Sequence, residues 1–429
     1  MCKSRSIFFV LVFFILVVIV PVCASSSRVV SASFGMFHGV ALKDDGTVWA
    51  WGAPYPGAAN FSYYGVGEKD DESILIRVDG LDNVTMVSTE TACFALDKNG
   101  TVWAWGFNEE GQLGDGTYNN SATPVKVKGL EGVVEVSAGG VHSLALDKNG
   151  TVWAWGADWD GQLGNGIKVP STSHGRVMPP GMSERDFHSN VPIRVNVTGV
   201  KQVAAGNDFS AVLKEDGTVW AWGEGLKMPP YPERIDCLSN IKMIAAGYSL
   251  LALADDGTLW EYWVEWTSWD SLPEVRLTRV EGLANVVSIS SGGSHSMALL
   301  ANGTVWAWGY NEDGELGDGS TSAYTRSTPA RVQGLANITS ISAGWRNSIA
   351  VQDDGTVWAW GRNLEGQIDP GSTETKITTP KTILKGTGLQ EAPNSSSEPF
   401  KTQVADTGFM TMVAAMVTAL IAYSWKKRQ

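Results

Sequence analysis

The sequence has few charged residues, few histidines and few cysteines. Only 18% of its 429 residues are charged, and it contains five histidines and four cysteines. Acidic residues outnumber basic ones by 45 to 32, which gives a formal net charge of −13. Surfaces that bind nucleic acid or anionic lipid are basic, so we expect neither partner. Glycine (48) and tryptophan (19) are abundant, which favours tight turns between aromatic strands over a helical bundle.

Each end of the chain carries an apolar segment. Near the N-terminus, a basic start precedes the apolar run 7–20, and small residues follow up to Ala24. This pattern is typical of a secretory signal peptide, so we predict cleavage after Ala24; an uncleaved anchor is the alternative. Near the C-terminus, the uncharged run 408–425 is long enough to span a membrane, and the basic tail 426–429 belongs on the cytoplasmic side.

The two segments together predict a single-pass type I membrane protein at the cell surface. The signal peptide would cover residues 1–24, the extracellular domain 25–388, a Ser/Pro-rich linker 389–407 and the transmembrane helix 408–425. The C-terminal segment also has the form of a prokaryotic sorting signal, in which case the mature protein would lack the span. Cys93 and Cys237 remain after signal cleavage, and we expect two free, buried thiols because the pair falls in non-adjacent repeats.

One phrase, Asp-Gly-Thr-Val-Trp-Ala-Trp-Gly, recurs with small variations seven times. Its turn glycines are 40 to 67 residues apart, at Gly46, Gly100, Gly150, Gly217, Gly257, Gly303 and Gly355. In the copy around Gly150, residues 133–138, 142–147 and 151–155 read as strands, and the preceding copy shows a fourth strand at 123–127. Four antiparallel strands per unit of about 50 residues are typical of a β-propeller blade.

Alternation along the strands explains the choice of residues. In the third strand of this copy, Trp153 and Trp155 share one face, whereas Val152, Ala154 and Gly156 share the other. A blade therefore has a bulky face that fills the shallow face of its neighbour. We predict an all-β, seven-bladed propeller with tryptophans between its blades at Trp103, Trp153, Trp220, Trp306 and Trp358.

The repeat resembles that of the regulator of chromosome condensation family. The resemblance rests on the runs Ala138–Leu146, Asn149–Gly156 and Gly161–Gly164, and it covers about residues 29–388. It implies a seven-bladed propeller, and the predicted signal and anchor would make this chain an exported, membrane-anchored member of prokaryotic type. The family histidine recurs at His38, His142 and His295, where a structural hydrogen-bonding role is the better interpretation. The Gly-Gln-Leu-Gly loop is kept or varied in copies two, three, six and seven, and it is missing from copies one, four and five.

The sequence offers no clear catalytic or metal-binding motif. Metal spacings of His and Cys, a nucleophile elbow and a phosphate loop do not occur, so we predict a protein that is not an enzyme and has no cofactor. Asp158–Gly161 and Asn311–Gly314 place acids before a glycine, but they stop short of a complete calcium loop and are better explained as turns. Sequons at Asn60, Asn83, Asn196, Asn337 and Asn394 are candidate glycosylation sites in an exported chain.

Two places break the repeat. The insert 167–190 lengthens one spacing, and either partner binding or a tolerated insertion would explain it. In copy five, Glu261 and Trp263 replace the small Ala and Gly of the third strand. Exposed aromatics beside acids suit carbohydrate or peptide stacking, so Glu261, Trp263, Trp266 and Trp269 are candidate ligand-binding residues; a locally rearranged core is the alternative.

We therefore predict a cell-surface binding or adhesion module, expected to be monomeric, that recognises an extracellular protein or carbohydrate. The alternative is an extracellular propeller enzyme, a lyase or hydrolase acting on glycans. The exchange of guanine nucleotides on a Ran-type GTPase, which the family resemblance also implies, does not fit an exported chain without a basic tail.

Overall fold

The computed structural model describes residues 27–52, 76–169, 171–172, 175–176, 178–265, 274–370 and 372–386. The predicted signal peptide, linker and membrane span lie outside these residues, as does the first long loop, 53–75. Among the described residues, no helix has the length and apolar character needed to cross a membrane.

The described strands form seven four-stranded antiparallel sheets, which confirms the predicted seven-bladed, all-β propeller. Each sheet is one blade, and its four strands follow one another along the chain. Blades one to three comprise β1 (Val29–Phe34), β2 (His38–Lys43), β3 (Val48–Gly52) and β4 (Ile76–Arg77); β5 (Val84–Thr89), β6 (Ala92–Asp97), β7 (Val102–Gly106) and β8 (Ser121–Lys126); β9 (Val133–Ala138), β10 (His142–Asp147), β11 (Val152–Gly156) and β14 (Ser189–Arg194).

Blades four to seven repeat this order. They comprise β15 (Val200–Ala205), β16 (Ser210–Lys214), β17 (Val219–Trp222) and β18 (Glu233–Arg234); β19 (Ile241–Ala246), β20 (Leu250–Ala254), β21 (Leu259–Glu265) and β22 (Glu274–Arg279); β23 (Val286–Ser291), β24 (His295–Leu300), β25 (Val305–Asn311) and β26 (Ser322–Arg331); β27 (Ile338–Ala343), β28 (Asn347–Gln352), β29 (Val357–Arg362) and β30 (Lys376–Leu384). The insert in blade three adds a two-stranded ribbon, β12 (Ser171–Thr172) and β13 (Gly175–Arg176), and a short 3₁₀ helix, η1 (Glu184–Phe187); a second 3₁₀ helix, η2 (Glu224–Leu226), follows β17.

Both tryptophans of the repeat face the preceding blade, as the alternation predicted. Trp155 is fully buried against blade two, beside Phe94, at a ring-centroid distance of 5.9 Å. The first tryptophan of the pair, Trp153, joins the same cluster but is only partly buried. The predicted residues Trp103, Trp220, Trp306 and Trp358 are likewise half-buried, so the second tryptophan of each pair contributes more to the interface. Full burial of one such ring stabilises the fold by about 3 kcal/mol.

The ring closes between blades seven and one without a strand shared between them among the described residues. Closure rests on packing of Phe34 and Trp51 against Ile349 and Val351. Two hydrogen bonds support it, from Arg28 Nη1 to the carbonyl oxygen of Asp353 at 2.8 Å and from Phe34 N to Ser342 Oγ at 3.4 Å.

The antiparallel order gives the propeller two different faces. One face carries the turns between first and second strands and the loops between third and fourth strands. We call it the loop face. The opposite, hairpin face carries the turns between second and third strands. Those turns have four residues in every blade, with a glycine at positive φ such as Gly150 (φ 77°), whereas the loops between third and fourth strands have 8 to 32 residues.

The prediction for the two cysteines is half right. Both thiols are free, and Cys93 is buried between blades one and two, but Cys237 is exposed. The difference arises because Cys237 lies in the connection between blades four and five, where Ile235 and Leu238 point inward and the residues between them face solvent.

Candidate functional site

The polar residues of the repeat hold neighbouring blades together. Trp155 Nε1 donates a hydrogen bond to the carbonyl oxygen of Gln112 at 2.7 Å, and Ser143 Oγ donates to the same oxygen at 3.1 Å. Gln112 belongs to the Gly-Gln-Leu-Gly loop of the preceding blade. Gln162 and Glu315 accept the equivalent pair of bonds at two further interfaces. The loop therefore supplies a buried acceptor to the next blade.

The repeat histidines have the structural role that the sequence predicted. His142 Nε2 lies 2.8 Å from Ser210 Oγ of the next blade, and His295 Nε2 lies 2.6 Å from Ser348 Oγ. Burial lowers the pKa of both histidines to about 3, so they are neutral at physiological pH. At the first interface, His38 Nε2 contacts Cys93 Sγ at 2.9 Å, where blades three, four, six and seven have serine.

Blade five lacks this loop, and Glu261 takes over the loop's function as an acceptor. Trp308 Nε1 of blade six donates to Glu261 Oε2 at 3.0 Å, and Ser296 Oγ donates to Oε1 at 3.3 Å. Ser249 of blade five adds a third bond to Oε1 at 2.9 Å. Glu261 therefore lies in the interface between blades five and six, with its carboxylate engaged by protein donors. These bonds give Glu261 a structural role at the interface, and ligand binding by Glu261 stays a prediction.

Blade four also lacks the Gly-Gln-Leu-Gly loop. The next blade, blade five, lacks the serine and the second tryptophan that donate to this loop elsewhere. Leu250 stands where other blades have the serine, and Tyr262 stands where they have the second tryptophan. Both side chains are buried in the cluster between blades four and five. The unusual third strand of copy five is thus explained on both of its faces. Tyr262 faces blade four, which has no loop acceptor, and Glu261 replaces the loop acceptor that blade five lacks.

The remaining candidates in copy five are only partly described. Trp263 is half-buried on the same side of the strand as Glu261. Trp266 and Trp269 lie outside the described residues. Ligand binding by these three tryptophans stays a prediction.

The loop face carries a pocket between blades three, four and five that the sequence did not reveal. Its volume is about 150 Å³, and Asp208, Glu224, Tyr248 and Val264 are among its lining residues. Glu224 pairs with Lys168 and, at 2.6 Å, with Lys227. Tyr248 is 52% exposed at the rim and therefore available to a partner. No periodic signal marks Tyr248, because it occupies an ordinary turn position of its blade.

The insert of blade three packs against blade two. The buried His188 ring lies 2.9 Å from Glu110 Oε2 through Nδ1 and meets the edge of Trp159 at a centroid distance of 5.0 Å. Arg185, in η1, lies over the ring of Tyr118 of blade two at 5.1 Å. These contacts hold the part of the insert around Arg185 and His188 on the loop face.

The acidic turns act as turns. Asp158 Oδ1 accepts a hydrogen bond from the backbone of Leu163 at 2.8 Å, and Asn311 Oδ1 accepts the equivalent bond from Leu316 at 3.0 Å. Within the described part of the chain, no group of three or more His, Cys, Asp and Glu side chains is arranged to hold a metal ion.

Three of the predicted glycosylation sites are exposed, namely Asn83, Asn196 and Asn337. Asn83 and Asn337 also have positive φ, at 55° and 54°, in the turn before the first strand of a blade. That conformation favours asparagine or glycine, so the turn alone explains these two residues. Asn60 and Asn394 lie outside the described residues, and glycosylation stays a prediction at all five.

Comparison with known proteins finds the same repeat along the chain. Two models of the regulator of chromosome condensation (RCC1) repeat match, one at residues 99–146 and 302–351, the other at 29–55, 133–162, 200–226, 286–315 and 338–367. The ultraviolet-B receptor UVR8 of Arabidopsis thaliana is 28% identical over 409 residues, which cover 88% of each chain. The human E3 ubiquitin-protein ligase HERC2 is 28% identical over 66% of this chain, but the match spans only 5% of HERC2.

Solved structures agree in fold. Prp20p of Saccharomyces cerevisiae, whose structure was described together with its binding to Gsp1p and histones, has a TM-score of 0.57 at 24% identity and covers 70% of this chain and 77% of its own. Human WBSCR16 has a TM-score of 0.60 at 20% identity and covers 79% of this chain and 94% of its own. At these identities, the likeness concerns the fold alone.

Proposed function

We propose that this chain, whose RCC1 repeats build a seven-bladed β-propeller, is a binding module that recognises a protein partner through its loop face. One observation carries the proposal. The turns on the hairpin face have four residues in every blade, whereas the loops between third and fourth strands range from 8 to 32 residues. A rigid scaffold that varies on one face only is the usual arrangement of a recognition surface.

The exposed side chains of the loop face support recognition of a protein. Tyr248 and Tyr231 are 52% and 55% exposed, and Leu364 is 58% exposed. Tyrosine supplies a large contact area at a low cost in conformational entropy, and it is enriched at protein interfaces. The binding of Gsp1p and histones, described for the structurally similar Prp20p, is a precedent for protein recognition by such a propeller.

The test is capture on combined protein and glycan arrays by the full chain and by loop-face variants. We expect specific capture of a protein, weakened about tenfold or more by Tyr248→Ala, since exposed aromatic anchors carry much of the binding energy at interfaces. Val134→Ala is the control, because Val134 is 54% exposed near the hairpin-face end of β9. Equal losses in both variants would contradict the loop-face proposal. Capture of a glycan followed by its cleavage would instead favour the enzyme alternative.

We also propose that residues 408–425 hold the propeller at the cell surface. The support is the sequence pattern of an uncharged run closed by Lys426, Lys427 and Arg428. Truncation after residue 407 should release the protein into the medium. Continued recovery of the truncated chain in the membrane fraction would contradict the anchor, and retention of the full chain is the control.

A further inference from the structure

A collar of glycines surrounds the central channel where it opens on the loop face. The residue after the first strand is glycine in six of the seven blades, at Gly35, Gly139, Gly206, Gly247, Gly292 and Gly344. A Cβ atom at Gly247 would lie 2.3 Å from the carbonyl oxygen of Gly292 in the next blade, and one at Gly292 would lie 2.2 Å from that of Gly344. The blades therefore approach too closely for side chains at these positions.

Backbone hydrogen bonds between the turns hold this collar together. Asn207 N donates to the carbonyl oxygen of Gly247 at 3.0 Å, and Tyr248 N donates to that of Gly292 at 2.8 Å. In each case, the residue after the collar glycine donates to the next blade. The equivalent bond runs from Gly140 N to the carbonyl oxygen of Gly206. The collar is thus a rigid, mostly backbone-lined rim.

Glu90 is the exception in the seventh position of the collar. At this blade, the contact to the next turn comes from the side chain of Thr91, whose Oγ1 donates to the carbonyl oxygen of Gly140 at 2.7 Å. Glu90 is among the residues that line the central channel, and its Oε1 is buried without a hydrogen-bond partner among the described residues. A buried carboxyl oxygen without a donor is costly, so the position calls for a functional explanation.

The channel around Glu90 suits a slender cation. Its volume is about 290 Å³, and no Lys, Arg or His is among the described residues that line it. The walls carry serine hydroxyls, such as Ser88 and Ser137, each of which accepts a backbone hydrogen bond from the next blade. A hydroxyl that already accepts one bond still has its own proton and a second lone pair for a guest.

We propose that the central channel binds a primary ammonium group on an unbranched chain, with the Glu90 carboxylate as its counter-ion and the channel hydroxyls and carbonyls as further acceptors. Six of the seven collar positions carry no side chain, which leaves room for a narrow alkyl stem, and the ammonium group supplies three donors to a site rich in acceptors. Lysine side chains of a partner and free alkylamines share this chemistry. The site goes beyond the proposed function, since its guest need not belong to the protein recognised by the loop face.

The protonation of Glu90 gives the site a signature. Burial raises the pKa of Glu90 to about 8, so the empty site is largely protonated at pH 7. A bound cation favours the ionised form, and binding should therefore release a proton and tighten as the pH rises toward 8. The other titratable groups nearby are Glu135 in the same channel, whose pKa burial raises to about 7, and the neutral histidines His38 and His142, whose pKa values burial lowers to about 4 and 3.

The experiment is calorimetric titration of the full chain with pentane-1,5-diamine and with a short lysine peptide, at pH 7 in two buffers of different ionisation heat. We expect saturable binding with release of close to one proton, since a group with a pKa of about 8 is mostly protonated at pH 7. Glu90→Gln should weaken binding about tenfold to a hundredfold and abolish the proton release. Glu90→Gly restores the residue of the other blades. It should also weaken binding and abolish the proton release, while the propeller stays folded. Glu109→Gln, at an exposed loop-face carboxylate, is the control that should bind as before.

The outcomes separate the possible guests. Binding of both probes points to a free amine, and binding of the peptide alone points to the lysine of a partner; either result supports the site if it depends on Glu90. Equal binding of the peptide after acetylation of its lysine would overturn the proposal. Absence of saturable binding by both probes, or unchanged binding by Glu90→Gln and Glu90→Gly, would also overturn it.

Discussion

At the scale of single residues, copies that depart from the repeat show what each position does. Asn108, Asn311 and Asn363 each accept a bond from the loop backbone through Oδ1 and donate through Nδ2 to carbonyl oxygens of the same loop. Asp158 keeps the first bond but has no amide to donate. Its Oδ2 is buried and has no hydrogen-bond partner of normal geometry among the described residues, although the Asn165 side chain interacts with the carboxylate. Burial raises the pKa of Asp158 to about 7, only partly offset by the bond from Leu163.

We predict that Asp158→Asn stabilises the protein at neutral pH. Folded Asp158 keeps its proton up to about pH 7, whereas the unfolded chain releases it near pH 3.8. The folded state then holds more protons, so the free energy of unfolding falls as the pH rises from about 4 to 7. The variant should remove this fall and gain about 2–4 kcal/mol at pH 7, at about 1.4 kcal/mol per pKa unit. Denaturant unfolding at several pH values measures both effects.

Asn108→Asp is the matched reverse change in blade two. It should introduce the same pH dependence and lower the free energy of unfolding at pH 7. If Asp158→Asn leaves the pH profile of stability unchanged, the account of this position is wrong.

At the scale of the blade, a hydrogen-bond acceptor that is lost on one blade is compensated by a substitution nearby. Where the loop is missing from blade five, Glu261 supplies an acceptor for Trp308. Where it is missing from blade four, Leu250 and Tyr262 replace the donors. At the interface between blades one and two, Trp105 Nε1 is buried without a hydrogen-bond partner among the described residues, which do not include the loop 53–75 of blade one.

We predict that Glu261→Ala destabilises the protein although it restores the residue of the other blades. Trp308 Nε1 would lose its acceptor, which costs about 1–3 kcal/mol. A double-mutant cycle with Trp308→Phe should give a coupling energy of about 1 kcal/mol or more, measured by denaturant unfolding. Ala307→Gly, in the same strand as Trp308, is a control that should show no coupling to Glu261→Ala. Additive effects of the Glu261 and Trp308 substitutions would contradict the compensation.

The sequence predicts the blades better than it predicts the site. Residues 133–138 and 142–147 coincide with β9 and β10, because strict alternation and an Asn-Gly turn determine them locally. The sequence also shows that copy five loses its loop and gains Glu261, but their connection appears only across an interface. Tyr248 and Glu90 escape prediction because a turn residue carries no periodic signal, and its neighbours come from distant parts of the chain.

At the scale of the whole molecule, the seam between blades seven and one must hold the ring without a shared strand among the described residues. Phe34 and Trp51 of blade one meet edge to face at 5.9 Å, and both pack against Ile349 and Val351 of blade seven. Phe94 of blade two and Trp155 of blade three make a contact of the same geometry across an internal interface. The second repeat tryptophan, Trp51, therefore packs against the preceding blade at the seam, as Trp155 does at an internal interface.

We predict that Phe34→Ala and its matched control Phe94→Ala each lower the free energy of unfolding by about 3–5 kcal/mol, because both rings are fully buried. Only Phe34→Ala should also speed amide exchange in β1 below the unfolding transition, since it opens the seam. A much smaller loss for Phe34→Ala than for Phe94→Ala would show that the seam contributes little to stability.

The most direct test of the functional account is amide hydrogen exchange of the full chain with and without the protein that it captures. We predict slower exchange in the loops between third and fourth strands and in the turn around Tyr248. The uniform hairpin turns, such as those at Gly150 and Gly303, should exchange at the same rate in both states. Protection confined to the hairpin turns, with an unchanged loop face, would contradict recognition through the loop face.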